Sequence, residues 1–261
     1  MPDGQRGGEG LAALALLEAA LNGDREHPAV PRTPAELAAE GRAAVDAGAR
    51  ALHLHPYDRD GRETFDAEPC AAAIRAVRAA CPGIPISLST SADIEPDPER
   101  RHALVSAWTE LPELVTANQG EEGILELCEL LLERGIGIEA GLLSLADAQA
   151  FVASGIASRC VRAMVEPLGE DPDAAVAEAA AIEDALAGAG IELEQVHHGD
   201  GLASWAVNRR GAARGHGIRT GLEDTVVLPD GSPASGNGEL VAAAARILAA
   251  LAPTGPRERQ H

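Results

Sequence analysis

Lysine is missing from this 261-residue chain: all 21 basic side chains are arginines. Without a side-chain primary amine no Schiff base can form. Pyridoxal phosphate then has no anchoring residue, and a phosphate loop of the Walker type lacks its lysine. Any carbonyl chemistry must rely on a metal ion or an oriented dipole for polarisation. Aromatic residues are scarce at 2%, so the core is expected to be built from Ala, Leu, Val and Ile. Basic charge is in deficit too. The 21 arginines face 41 acidic residues, for a net charge of −20. That balance argues against a nucleic-acid partner and against an anionic membrane surface.

The four cysteines, Cys70, Cys81, Cys128 and Cys160, form no CxxC pair and sit in apolar settings. Reduced, buried thiols of a cytoplasmic protein are expected. No charge-free apolar run reaches the ~18 residues of a membrane span. The stretch Leu11–Leu21 is interrupted by Glu18, follows Asp3 and Glu9, and leads into NGDREHP rather than a small-residue cleavage site. It therefore does not read as a signal peptide. No GxGxxG, GxSxG or HExxH string points to a dinucleotide enzyme, a serine hydrolase or a zincin.

What the chain does have is alternation. Short apolar runs at Ala15–Leu21, Ala51–His55, Ile84–Ser89, Glu113–Ala117, Gly137–Ala140, Arg159–Val165, Leu193–His197 and Gly217–Gly221 are each followed by an Ala-rich amphipathic stretch. Thr33-Pro34 with Glu36 in the next turn is a helix opening. Eight strand–helix units at this spacing are the arithmetic of an α/β fold, the (β/α)8 TIM barrel. The expected domain is a single barrel over 11–252 with mobile termini at 1–10 and 253–261. A doubly wound open sheet with a subdomain is the alternative. The first strand is the weakest, because LAALALLEAAL reads equally well as a helix.

A barrel carries chemistry at the C-terminal ends of its strands. The polar residues there are Asn22, His53, His55, Ser89, Thr90, Asn118, Glu139, Glu166, His197, His198, Arg219, Glu223 and Asp224. In His53-Leu54-His55 the two imidazoles point to one side, because strand side chains alternate. Two such histidines bind a metal, or else bond to each other or to backbone. Glu223 is the best third ligand, and His2Glu with an open position is a catalytic zinc set. Asp224 is then free as a base, with Arg219 to orient it; a plain turn with a surface ion pair is the bland reading of the same string. His197 and His198 are adjacent, so they face opposite ways and are poor candidates as a ligand pair.

The strings NGDREHPAVPRTPAEL, ALHLHPYDRDGRETFD, ISLST, IGIEAGL and RTGLEDTVVLPDGSPASGN, in this order, resemble the β-keto acid cleavage enzymes over roughly Ala20–Leu251. The resemblance implies a (β/α)8 barrel with one zinc per subunit, in a homotetramer. It places zinc ligands at His53, His55 and Glu223, a catalytic Asp–Arg dyad at Asp224 and Arg219, and active-site residues at Ser89, Glu139 and Asn118. Asn118, Thr90, Arg25 and Tyr57 are the candidate substrate contacts. The implied reaction takes a β-keto acid and acetyl-CoA to acetoacetate and a new acyl-CoA. Two departures stand out. Tyr57 occupies a position where the family commonly has Arg. Arg25 falls where members that take amino-bearing substrates offer an acid, which favours a neutral or acidic acyl group here. A metal-dependent aldolase or lyase acting without CoA, and a non-catalytic metal-binding barrel, are the competing readings.

Overall fold

The fold is described from a computed structural model, which covers residues 15–251. The expected mobile ends at 1–10 and 253–261 lie outside the described residues. Eight strands form one closed parallel barrel in sequence order. They are β1 (Leu17–Ala20), β2 (Ala51–Leu54), β3 (Ile86–Ser89), β4 (Leu114–Asn118), β5 (Gly137–Leu142), β6 (Arg162–Val165), β7 (Glu194–His197) and β8 (Gly217–Thr220). The helices that follow them are α1 (Pro34–Asp46), α2 (Ala67–Ala80), α3 (Pro98–Ser106), α4 (Ile124–Glu133), α5 (Leu145–Ser154), α6 (Pro172–Gly188), α7 (Ser204–Ala213) and α8 (Asn237–Leu251). The barrel expectation therefore holds and the open sheet does not.

The ambiguous first segment is a strand because it closes the barrel. Glu18 pairs with Ala51 of β2 on one side and with Arg219 of β8 on the other. Helix starts follow the local chemistry. Thr33 and Glu36 form a reciprocal capping box at α1, while Asp97, Ser144 and Asp171 cap α3, α5 and α6. Each cap satisfies amide donors that a helix start leaves open.

The apolar core lies between the barrel and its helices, where Leu52, Leu54, Ile86, Leu88, Ile74 and Val77 are fully buried. Aliphatic side chains dominate it, as expected, but Phe65, Phe151, Trp108 and Trp205 are also buried. Four of the five aromatics are thus inside. All four cysteines are free and buried.

The inside of the barrel is different. Glu18, Ser87, Thr116, Glu139 and Arg162 are all buried there, and they bond to one another. This layer is a floor beneath the mouth of the barrel. Among the described residues no helix is long and apolar enough to cross a membrane.

Candidate metal centre and active-site cleft

His53 is the third residue of β2, and His55 lies just past the strand's end. His55 keeps the inward direction because Asn22 splices it onto the end of β1. The Asn22 amide accepts from the His55 N–H at 2.8 Å and donates to the His55 carbonyl at 2.8 Å. The two rings meet edge to face, with their Nε2 atoms 3.2 Å apart. Glu223 comes from the loop after β8. Gly221 lets that loop lie against β1, since a Cβ there would sit 1.8 Å from the Ala20 carbonyl oxygen. Glu223 Oε2 then stands 3.6 Å from His53 Nε2 and 3.5 Å from His55 Nε2.

These three atoms fit a divalent cation. A tetrahedral ion with ligands at about 2.0–2.1 Å spaces them about 3.3 Å apart, close to the three edges seen here. The outer nitrogens face other polar groups. His55 Nδ1 lies 2.7 Å from Glu63 Oε1. His53 Nδ1 lies 3.4 Å from Ser87 Oγ and 3.3 Å from Thr116 Oγ1. Both Nε2 atoms thus face inward, where a bound cation would meet their lone pairs. Glu223 Oε2 is buried with no hydrogen-bond partner among the described residues, an arrangement that costs about 1–3 kcal/mol unless a ligand satisfies it. The carboxylate–histidine contact at Glu63 is the kind that orients a metal-bound imidazole.

Charge is concentrated here. Burial lowers the His55 pKa, but the Glu223 and Glu63 carboxylates outweigh it and push the ring up to about 10. Burial holds His53 well below its ordinary value. Burial would raise Glu223, yet Arg219 and the two imidazoles hold it well below the usual carboxylate range. Arg219, buried at the end of β8, donates from Nη2 to Asp224 Oδ1 at 2.7 Å and to Glu223 Oε1 at 3.0 Å. Asp224 Oδ2 has no hydrogen-bond partner among the described residues.

These groups line one cavity of about 220 Å³. Of the residues assigned a role from sequence, His53, His55, Glu223, Asp224, Arg219, Ser89, Asn118 and Arg25 line it. Three do not. Glu139 is fully buried in the floor, where it accepts from the Ser87 hydroxyl at 2.5 Å and faces Arg162 at 3.3 Å. Thr90 is buried and donates to the Thr116 carbonyl at 2.8 Å. Tyr57 donates its hydroxyl to the Gly23 carbonyl at 2.5 Å, bracing the loop after β1. The structure thus places these three around the cavity and not in its wall.

Other cavity residues had no assigned role in the sequence. Glu63 reaches His55 through the turn in YDRDGRE, where Tyr57 and Glu63 form an antiparallel bridge. Glu166 lines the wall beside Arg219, and burial raises its pKa. Asp200 pairs with Arg25 at the rim. His197 faces outward, as alternation requires, and stacks on His216 with centroids 4.7 Å apart. With Glu183 these two make a second group of possible ligands. Arg210 and Arg214 already occupy the Glu183 carboxylate at 2.6 Å each, so a cation is disfavoured there.

Comparison with known proteins agrees with the geometry. The chain is 29% identical over 250 residues to the 3-keto-5-aminohexanoate cleavage enzyme of Fusobacterium nucleatum subsp. nucleatum, covering 87% of each. It is 27% identical over 253 residues to the enzyme of the same name from Acetoanaerobium sticklandii, covering 85% of this chain and 86% of that one. Among solved structures, ObcA with oxaloacetate superposes with a TM-score of 0.70 at 17% identity, over 86% of this chain and 64% of ObcA. ObcA in ternary complex with a C4-CoA adduct and oxalate gives 0.71 at 16% identity, with coverage of 86% and 64%. The chain thus spans under two thirds of ObcA, and at this identity the likeness speaks to the fold. Residues 15–254 match the family model described as β-keto acid cleavage enzyme, and the chain belongs to that family.

Proposed function

We propose that the chain is a zinc-dependent enzyme that takes a β-keto acid and acetyl-CoA to acetoacetate and a new acyl-CoA. The observation that carries this reading is the convergence of two imidazole nitrogens and one carboxylate oxygen beside an Arg-held aspartate in one cavity. His53 Nε2, His55 Nε2 and Glu223 Oε2 would hold the ion, and two imidazoles with one carboxylate suit zinc. When bound there, it would act as a Lewis acid toward the 3-keto and carboxylate oxygens of the substrate.

The chain's own residues supply the rest. Asp224 takes the proton from C2 as general base. Arg219 fixes Asp224 Oδ1 at 2.7 Å, which leaves Oδ2 for the proton. The C2 carbanion attacks the acetyl carbonyl, and the C–S bond breaks to release the CoA thiolate. The thiolate attacks the 3-keto carbon, the C2–C3 bond breaks, and Asp224 returns its proton to C2 of acetoacetate. Atoms and protons balance without an outside donor. Ser89 and Asn118 offer a hydroxyl and an amide in the cavity wall. Arg25 at the rim favours a neutral or acidic acyl group over an ammonium-bearing one. A small-molecule site in the cytoplasm, in a homo-oligomer, completes the reading.

The test is a panel of β-keto acids with and without acetyl-CoA, reading acetoacetate and acyl-CoA. Formation of both from zinc-loaded protein supports the proposal. Cleavage without acetyl-CoA would instead identify a lyase.

A further inference from the structure

His198 follows β7, and its backbone N–H donates to the Val165 carbonyl at 3.1 Å. Its side chain is fully buried. Nδ1 lies 3.2 Å from Arg219 Nε. A guanidinium donates and never accepts. The Arg219 Nε–H must therefore point at a lone pair, so His198 Nδ1 carries no proton. The ring proton belongs on Nε2, which faces Glu166 Oε2 at 3.4 Å.

The same edge of Arg219 serves the base. Nε–H goes to His198 Nδ1, and the neighbouring Nη2–H goes to Asp224 Oδ1 at 2.7 Å. The two acceptor atoms stand 3.5 Å apart, so two side chains share the fork that a single carboxylate can fill with its two oxygens. Half of the fork is thus an imidazole. Without it the buried Nε–H would have no acceptor, and the guanidinium could turn about its Nη2 contacts alone. Nη2 must also reach Glu223 Oε1 at 3.0 Å, so such a turn would disturb both a candidate ligand and the base.

We propose that His198 is a positioning residue for the Asp224–Arg219 pair: its Nδ1 lone pair holds Arg219 Nε–H while its Nε2–H faces Glu166, so that Arg219 presents Nη2 to Asp224 and Glu223 together. The catalytic part of this role rests on the β-keto acid cleavage reading above.

Two substitutions separate the two nitrogens. In His198→Asn the amide oxygen reaches the Nδ1 position and can still accept from Arg219. In His198→Gln the amide group reaches the Nε2 position, keeping the Glu166 contact and losing the acceptor. The expected result is a fall in kcat of about 10–100-fold for His198→Gln, the size seen when an orienting partner is removed. KM should shift by less than about threefold, because the loss falls on the transition state. His198→Asn should recover most of that kcat. Metal content is measured on both variants, so that kcat is compared per metal-loaded subunit. The second readout is nitrogen NMR of histidine-labelled protein, with the signal assigned by its loss in His198→Asn. It should show the neutral Nε2–H tautomer. Equal rates for the Asn and Gln variants, or a proton on Nδ1, would overturn the proposal. If wild type converts no β-keto acid, the functional reading fails, and the tautomer alone decides the placement of His198.

Discussion

Arg219 Nη2 stands 2.7 Å from Asp224 Oδ1, with both side chains buried. The pair couples the end of β8 to the loop that follows it. A fully charged, buried arginine requires carboxylate company, and Arg219 has Asp224, Glu223 and Glu166 around it. Burial alone would lower its pKa; these carboxylates raise it well above its ordinary value instead. Asp224→Asn should leave the fold and the metal content intact while kcat falls by about 10²–10⁴-fold, the range of a lost general base. Steady-state rates and metal analysis on the same preparation check this. Near-normal turnover would place the base elsewhere.

The metal centre makes a separate demand. His53→Ala or His55→Ala should empty the site while circular dichroism shows an intact barrel, because the core lies outside the strands and not in the mouth. Glu63→Gln is the subtler variant. It removes a carboxylate 2.7 Å from His55 Nδ1, and metal affinity should weaken by about 10–100-fold. Competition with a chelator measures the change. Full metal occupancy in His53→Ala would refute the ligand assignment.

Arg25 crosses the cavity mouth. Its Nε donates to the Glu223 carbonyl at 3.0 Å, its Nη2 reaches the Asp224 carbonyl at 3.3 Å, and it pairs with Asp200. It therefore ties the loop after β1 to the backbone that carries Glu223 and Asp224. Arg25→Ala should raise KM for acids with a carboxylate on the acyl chain more than for neutral ones. It should also lower kcat for every substrate by about 10-fold, as remote misplacement does. A change in KM alone would reduce Arg25 to a substrate contact.

The pairing of His53 with His55 was legible because strand geometry puts alternate residues on one side. Glu223 and Asp224 are adjacent, and their carboxylates face different partners: Glu223 Oε2 the two imidazoles and Asp224 Oδ1 the Arg219 guanidinium. Strand β1 was legible only as the first of eight apolar runs, since LEAA becomes a strand by pairing on both edges. Glu139 and Thr90 show a different limit. Sequence position tells which way a strand residue faces but not how deep it lies in a tilted, staggered barrel. Glu139 pairs with Thr116, two residues before Asn118, and so falls in the floor. Glu63, His198 and Asp200 stand on loops that meet across the mouth. Arg25 and Asp200 are 175 residues apart, and no local pattern announces such a contact.

Outside the barrel, Glu183 gives a prediction about stability against pH. Burial would raise its pKa, but Arg214, His216 and Arg210 donate to it and hold it down to about 2. In the unfolded chain a glutamate titrates near 4.3. The folded state therefore binds the proton more weakly, and the stabilisation is fully present above the unfolded pKa. It is lost as the pH falls from there through the folded value. Arg214 is about half exposed, so solvent screening keeps the effect to about 1–2 kcal/mol. Glu183→Gln, which stands in for the protonated acid, should be less stable than wild type by that amount at pH 7. The gap should hold down to about pH 5 and then narrow steadily toward pH 3. Urea unfolding at a series of pH values measures it. A gap of constant size between pH 5 and pH 3 would show that the arginines stabilise the neutral side chain equally, and that the ion pairs contribute nothing through charge.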